Sequence, residues 1–531
     1  MMEIHKINFE EVRPFTKRDI KYRNHPESFS EFYRFQPNLE GFAQAIAERN
    51  RFPVDRELLQ SVIKKQYEGY VLSELQENHI KAIVSEQTFT VVTAHQPSLL
   101  TGPLYYIYKI FSAINLAEKL KANFPAFHFV PIFITGSEDH DFAEINHLHL
   151  FQHKIEWQHE AGGPVGRLNT EGLKEVISEV KSLFGSSAYG SELSEILDKS
   201  LDEVQDYNSF VFKLINQLFG QYGLLLLNMD DVQLKGRFKP VMKKELTEHP
   251  SAELIKQSQE RWQALGYHSQ AHAREINLFY MDDGIRERIV KSGDYYEVNN
   301  TELRFSQEEI LKLLDEHPDK FSPNVVIRPL YEEYILPNLA YIGGGGELAY
   351  WLERKTQFEH FGIFYPILVR RDSMLWISKA QLQTLQKNEM VWQDLFLDED
   401  ALINKYIQHT LNYDISLEEE TGSISQIFQL IASKAAGADK TLESFVEAER
   451  VKIVKSVEHI EQRIKRAIKK NEETAVNQLK NLKNKLFPGG GLQERHDNFL
   501  QYYLTLGPSF FETIKKEADP LQNGFTVIIQ N

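Results

Sequence analysis

The apolar positions of this chain alternate between two spacings, and the alternation marks out its elements. Residues 1 to about 88 are rich in charge and aromatics and predict mostly helix, with an amphipathic stretch at Leu58–Gln76. The first convincing strand is Phe89-Thr90-Val91-Val92-Thr93-Ala94. A polar loop containing glycine and proline, His95–Pro103, follows it. Leu104, Ile107, Tyr108, Phe111, Ile114 and Leu116 then recur at helical spacing, with Pro103 suited to the first helical position. His128–Thr135 predicts a second strand. The three form a β-α-β unit, whose strands should be parallel with a right-handed crossover.

Gly223-Leu224-Leu225-Leu226-Leu227-Asn228 predicts another strand, and its unbroken apolar run suits a parallel sheet covered on both faces. Residues 150–220 predict a largely helical insertion, and residues 230–320 a second, mixed one. Leu339–Ile342 leads into four glycines, Gly343–Gly346. A helix from Glu347 to about His360 is stopped by Gly362, and a strand Ile363–Arg370 closes a second β-α-β unit. This alternation predicts an α/β fold, a Rossmann-like doubly wound parallel sheet with helical insertions.

The pattern changes after about Trp376. Residues 376–435 predict helices with loops. Ile453, Val457, Ile460, Ile464 and Ala467 are spaced as a coiled-coil seam. A polar break, Lys469-Lys470-Asn471-Glu472-Glu473, interrupts it before Ala475, Leu479, Leu482 and Leu486 resume the series. Pro488-Gly489-Gly490-Gly491 ends it, and Phe525–Ile529 predicts a last strand returning to the main sheet. The expected units are a core at 1–375, an appended α-helical coiled-coil domain at 376–490, and a C-terminal segment at 491–531 that returns to the core.

Composition narrows the chemistry. Of 531 residues, 42% are apolar and 26% charged, enough to bury a sizeable core. A net charge of −16 does not attract nucleic acid or an anionic membrane through its mean field. The chain has no cysteine, which excludes disulfides, thiolate nucleophiles and cysteine-held zinc or iron–sulfur sites. The N-terminus, Met1-Met2-Glu3-Ile4-His5-Lys6, lacks the apolar core of a signal peptide. No run of about 18 apolar residues spans a membrane. The expectation is a cytoplasmic enzyme with neither nucleic-acid nor membrane partners.

Four constellations can carry chemistry. The loop His95-Gln96-Pro97-Ser98-Leu99-Leu100-Thr101-Gly102 follows a strand and opens a helix, where α/β folds bind phosphates on free backbone N–H groups. Gly102 permits close approach, and His95, Gln96 and Thr101 can donate to phosphate oxygens. An ordinary βα loop with a capping threonine would read the same way. Second, Glu138-Asp139-His140-Asp141 lies just past the second strand. Acids crowded there shift each other's pKa values, which suits an ammonium, a hydroxyl-rich substrate or a metal; a solvated turn with a helix cap is the plainer reading. Consecutive residues face different ways, so no joint metal ligand set is expected, although His147 and His149 add nitrogens.

Third, the glycine run precedes Glu347, Tyr350 and Trp351. Consecutive glycines lose much entropy on ordering, so Gly344, Gly345 and Gly346 point to close approach by a ligand or another backbone, or else to a linker. Fourth, Asn324 and Arg328 bracket an apolar run, and Arg328 can pair with a ligand carboxylate or phosphate or form a structural ion pair. From Val451 to Leu486 there are ten Lys or Arg against four Glu. That basic arm is a solvated face, or it meets an acidic surface of a partner subunit; no interleaved aromatics favour RNA.

Five ordered motifs carry a family resemblance. They are Thr101-Gly102-Pro103-Leu104-Tyr105; Glu138-Asp139-His140-Asp141 with Glu144-Ile145-Asn146-His147; Ser322-Pro323-Asn324-Val325-Val326; Glu347 with Tyr350-Trp351; and Leu486-Phe487-Pro488 with Leu492-Gln493-Glu494-Arg495. Over about residues 85–500 the chain resembles the bacillithiol-biosynthesis cysteine-adding enzymes, a cysteine ligase family. One departure is Gly344-Gly345-Gly346-Glu347, where the family typically has Gly-Pro-Gly-Glu; it loses a rigid proline and keeps the acid.

The resemblance implies a Rossmann-like core and a coiled coil that makes a homodimer. It implies the last step of bacillithiol synthesis, in which the carboxyl group of cysteine joins the amine of glucosaminyl-malate. The family's likeness to class I aminoacyl-tRNA synthetases implies ATP, with Mg2+, and a cysteinyl-adenylate. On that reading His95 and Thr101 stabilise developing negative charge, and a carboxylate or His140 is the general base. Glu138, Asp139 and Asp141 meet the amino group and sugar hydroxyls, and Arg328 helps to hold the malate. The expected catalytic set is His95, Asp139, His140 and Asp141. The expected binding set is Gln96, Thr101, Gly102, Glu138, Asn324, Arg328, Gly344, Gly345, Gly346, Glu347, Tyr350 and Trp351. Two rival readings are a nucleotidylyltransferase-like enzyme acting on another small acid and a dimeric nucleotide-binding scaffold whose coiled coil is the functional surface.

Overall fold

Five buried strands run parallel in the computed structural model, which describes residues 2–269, 272–411 and 416–530. Across the sheet they lie in the order Ile367–Arg370, Asn338–Gly343, Thr88–His95, His128–Thr135, Leu225–Asn228. The two halves therefore wind outward from the pair Thr88–His95 and Asn338–Gly343. At such a reversal the crossovers leave in opposite directions, and a crevice opens beyond the carboxyl ends of the strands. His95, Gly343 and Arg370 stand at that end. The continuous apolar runs are explained by cover on both faces: one face belongs to the main core with Val92 and Tyr341, the other to a smaller cluster with Val91 and Ile342.

The helix after the first strand is Tyr105–Asn123, two residues later than expected. The chain first makes a short turn, Leu99–Thr101, and the Leu104 N–H donates to the Asp497 carbonyl at 2.9 Å. The expected Glu347–His360 helix is two helices, Gly345–Leu352 and Lys355–Phe361, and Gly362 ends the second in a left-handed conformation. The first insertion begins with a hairpin, His147–Leu150 and His153–Glu156, before its helices Leu173–Ser182, Gly190–Leu201 and Tyr207–Phe219. The second holds an antiparallel five-stranded sheet that includes Leu278–Asp282, Ile285–Ser292 and Phe321–Pro323.

The C-terminal strand, Phe525–Gln530, does not join the main sheet. It lies between Met2–Ile7, antiparallel, and Met374–Ile377, parallel. Met2–Ile7 is a strand in a segment expected to be mostly helical. The reason is two-sided burial. Ile528, Met374 and Trp376 face the main core, whereas Phe525, Val527, Ile529, Leu375 and Ile377 face a second core containing Leu479, Leu482 and Leu486. The period-2 alternation makes this small sheet the shared wall of the two cores.

Beyond that wall, Glu418–Ala438 and Leu442–Asn471 are neighbouring helices, and Glu473–Leu486 follows a break at the expected polar residues. The seam residues Ile453, Ile460 and Ile464 remain exposed in this chain. Part of the stretch read as helices with loops, residues 412–415, lies outside the described residues, as do Met1, residues 270–271 and Asn531. Among the described residues no helix is long and apolar enough to cross a membrane.

Candidate active site

His95 is the last residue of its strand, so the sheet itself aims its ring into the crevice. Its Nδ1 lies 3.0 Å from the Gln96 carbonyl, which only accepts, so Nδ1 carries the proton. Its Nε2, 2.9 Å from Tyr105 Oη, is then the acceptor of the tyrosine hydroxyl. Burial, reinforced by the nearby Lys109 charge, pushes His95 down to about 4, so it is neutral at neutral pH. Burial raises Tyr105 to about 12.

The loop after His95 is held by its own bonds. The N–H groups of Thr101 and Gly102 donate to Ser98 and Leu99 carbonyls at 3.1 and 2.8 Å. Asn498 Nδ2 donates to the carbonyls of Leu100 and Gly102 at 2.9 and 2.7 Å. Leu100 and Thr101 adopt φ of 46° and 69°, a strained state that surrounding structure must impose. A Cβ on Gly102 would stand 2.8 Å from Ser98 Cβ. The N–H groups of Ser98, Thr101, Gly102 and Leu104, which the expected phosphate cradle would use, are thus spent on the protein's own carbonyls. What the loop offers is a side chain: Thr101 Oγ1 is buried with no partner.

The glycine run is also largely self-satisfied. Gly344 N–H donates to Glu347 Oε2 at 2.8 Å. A Cβ on Gly345 would lie 2.4 Å from Asp19 Cγ, and Asp19 is gripped by Arg370 at 2.9 and 3.1 Å. Gly345 therefore makes room for the protein's own carboxylate at a helix start. A Cβ at Gly346 would meet open space, and one at Gly344 would meet Arg371 Nε at 3.7 Å.

Behind the crevice lies a buried charge network. Lys109 Nζ donates to Glu347 Oε1 at 2.7 Å, and Tyr341 Oη to the same oxygen at 3.0 Å. Burial would raise Glu347, but Lys109 and the Gly344 N–H outweigh it and hold the carboxyl at about 2. Arg371 Nη2 donates to the buried Glu494 at 2.8 Å, while Arg371 Nε has no partner.

The acidic motif divides. Asp139 and Gln96 face each other, with Gln96 Nε2 donating to Asp139 Oδ2 at 2.7 Å and to Glu144 Oε2 at 2.8 Å. Burial works to raise Asp139, but Gln96 and Arg286 prevail and hold it below its usual value. His140 Nδ1 accepts from Arg286 at 2.6 Å, so its lone pair is occupied and Nε2 carries the proton. Burial and Arg286 lower its pKa. His140 is thus presented as a donor, not as a ready base. Glu138 turns inward to pair with Lys235, which also holds Asp230 at 2.9 Å. Asp141 is exposed and caps the turn Phe142–Ile145 by accepting from Glu144 N–H.

The remaining expected residues serve the scaffold. Asn324 Oδ1 accepts from Val326 N–H at 2.8 Å. Arg328 is spent on Glu332 at 2.8 Å and Tyr350 at 3.2 Å. Trp351 is wholly buried and stacks on Tyr341 at 4.3 Å, so it cannot meet a ligand in the crevice. The expected site sets left out Lys109, Arg371, Arg286 and Asn498, and also Tyr105 and Glu494, which stood only as members of the quoted motifs. Lys109 carried a visible signal, as a charge inside the apolar run Tyr106-Ile107-Tyr108-Lys109-Ile110-Phe111. Arg286 carried none, because a hairpin of the second insertion delivers it.

Comparison with known proteins is consistent along the whole chain. Residues 2–372 match the family described as "Bacillithiol biosynthesis BshC, N-terminal Rossmann-like domain". Residues 374–530 match "Bacillithiol biosynthesis BshC, C-terminal coiled-coil domain". A protein of Flavobacterium johnsoniae named "Putative cysteine ligase BshC" is 38% identical over 527 residues, 98% of this chain and 99% of its own. A protein of the same name from Flavobacterium psychrophilum is 38% identical over 525 residues, 98% of each chain. Another from Lysinibacillus sphaericus is 26% identical over 503 residues, 92% of this chain and 93% of its own.

Proposed function

The chain belongs to the bacillithiol-biosynthesis BshC family, and from that premise we propose that it is a cysteine ligase joining the carboxyl group of cysteine to the amine of glucosaminyl-malate, with ATP and Mg2+ activating the acid. The observation that carries the proposal is the crevice at the sheet's reversal, where the neutral His95–Tyr105 pair stands beside the Arg371 guanidinium, 5.2 Å from the Tyr105 ring, whose Nε lacks a partner. A carboxylate does not condense with an amine at neutral pH until its oxygen becomes a leaving group. ATP supplies that activation when bound. The residues fit it: Thr101 Oγ1 and Arg371 Nε are orphaned polar atoms beside Gly102 and Gly344, and they would hold phosphate oxygens.

The protein's own groups then have separable roles. Asp139, ionised at neutral pH, holds the cysteine ammonium. The attacking amine must lose a proton as the C–N bond forms. Tyr105 Oη takes that proton while passing its own to His95 Nε2, the lone pair it already faces. This reading places the base at His95 rather than at a carboxylate or His140, the two first expected. His140 donates through Nε2. The reaction belongs in the cytosol, where ATP and free cysteine are at hand.

The test is direct. Purified chain is mixed with cysteine, glucosaminyl-malate and ATP, and the amide is followed by mass spectrometry. Product dependent on all three supports the reading. ATP turnover with another acid would point to a nucleotidylyltransferase-like enzyme, and nucleotide binding without turnover to a scaffold.

We further propose a homodimer through the helical arm, because Ile427, Leu430, Phe445 and Ile460 leave an apolar face exposed there. Sedimentation of the full chain should give a dimer at micromolar concentration, and Phe445→Asp should shift it toward monomer. A wild-type monomer would sink the idea.

A further inference from the structure

Next to His95 the crevice deepens into a small pocket of about 90 Å3. Its walls carry His95, Tyr105, His147, His149, Arg495 and His496. Two distant segments build it: the hairpin strand His147–Leu150 and the loop after the helical arm. They are pinned by one residue, since Asn498 N–H donates to the His149 carbonyl at 3.0 Å while its side chain holds the His95–Gly102 loop. The rings of His149 and His496 stack with centroids 4.0 Å apart, and His147 meets His149 edge-on at 5.7 Å. His496 Nδ1 lies 2.9 Å from Asp497 Oδ1. Among the described residues no three His, Asp or Glu side chains are placed to hold a metal ion, so the imidazoles stand as hydrogen-bonding groups.

Among the described residues Arg495 is the cation of this corner without an ion-pair partner. Its guanidinium packs over the Tyr105 ring at 5.8 Å, and no carboxylate of the described residues pairs with it. Neighbouring cations have carboxylate partners: Lys109 pairs with Glu347, Arg371 through Nη2 with Glu494, and Arg328 with Glu332. Burial, then His496 and His147, push His149 down to about 4. The pocket is small, and one carboxylate or phosphoryl group fits its scale. Glu144, tethered to Gln96, also lines the pocket. It repels a dianion and accepts from a hydroxyl next to a carboxylate.

We propose that this pocket is an oxyanion subsite that takes one carboxylate or phosphoryl group of a substrate, with Arg495 supplying the charge and His149 an adjacent N–H group. Resting on the function proposed above, the group is a carboxylate of the malyl end of the amine substrate. That assignment gives Arg495 the malate-binding role that sequence had suggested for Arg328.

Calorimetry on the full chain, with L-malate and inorganic phosphate as separate probes, tests the subsite without needing turnover. Malate should bind the wild type, Arg495→Gln should weaken it about 10- to 100-fold, the range for one charge-assisted hydrogen bond, and Arg495→Lys should keep part of the affinity. The Arg495 side chain is exposed, so neither variant disturbs the core. In steady state Arg495→Gln should raise KM for glucosaminyl-malate and leave KM for cysteine and ATP unchanged. Unchanged malate affinity in Arg495→Gln, or no binding of either probe to wild type, overturns the subsite. Phosphate binding without malate binding, or a rise in KM for ATP alone, overturns the malyl assignment. Loss of malate binding in Arg495→Gln by a chain that forms no product would uphold the subsite while refuting the ligase reading.

Discussion

Alanine in place of His95 is expected to lower kcat/KM for amide formation by about 100-fold, within the range for losing one positioned proton-transfer group. The Tyr105 hydroxyl would then face no acceptor at Nε2, and the amine's proton would have to leave through water. Tyr105→Phe should produce a similar loss, because the two atoms lie 2.9 Å apart and act as one relay. The pH profile separates this from a packing defect. With His95 at about 4 in the free enzyme, its protonation should not limit wild-type kcat/KM from neutral pH down toward that value. The acid limb assigned to His95 should vanish in the alanine variant. A change smaller than about threefold, with both variants folded by circular dichroism, would remove the relay from the mechanism.

Alanine in place of Glu347 is expected to cost about 3–5 kcal/mol of unfolding free energy, because the fully buried Lys109 ammonium would lose its counter-charge. Urea denaturation monitored by tryptophan fluorescence measures it. Glu347 has a folded pKa of about 2 against an ordinary 4.5, so its ionised form is favoured by folding. That stability is present in full above about 4.5 and is lost as pH falls toward 2. It follows from that difference as about 3 kcal/mol at most, an upper bound because solvent screens a side chain that is 28% exposed. Wild type should therefore weaken across that window, and Glu347→Ala should weaken less steeply there. A loss under about 1 kcal/mol would mean that Lys109 finds another partner or loses its proton.

Much of the fold was legible because burial on both faces writes itself as unbroken apolar runs. Val91-Val92 and Leu224-Leu225-Leu226-Leu227 announced parallel strands, and both appear where expected. The break near residue 470 was legible too, because charge cannot continue an apolar seam. The C-terminal strand was assigned to the wrong sheet, since its alternation reports two buried faces without naming the cores.

The candidate site was legible in its loops and not in its bonds. The sequence by itself determined the β-α-β units, the positions of the His95, Asp139 and Gly343–Gly346 loops at strand ends, and the five ordered motifs that point to the family. It also determined that no thiol of the protein can take part. Only the tertiary structure decided that Gly345 makes room for Asp19, that Arg328 pairs with Glu332, and that no carboxylate among the described residues pairs with Arg495. It alone placed Lys109 against Glu347, and Asn498 against a loop 398 residues away. The physical reason is reach. Spacing along a chain encodes which face a residue shows, whereas the partner that satisfies a buried charge comes from whatever segment the fold brings to it.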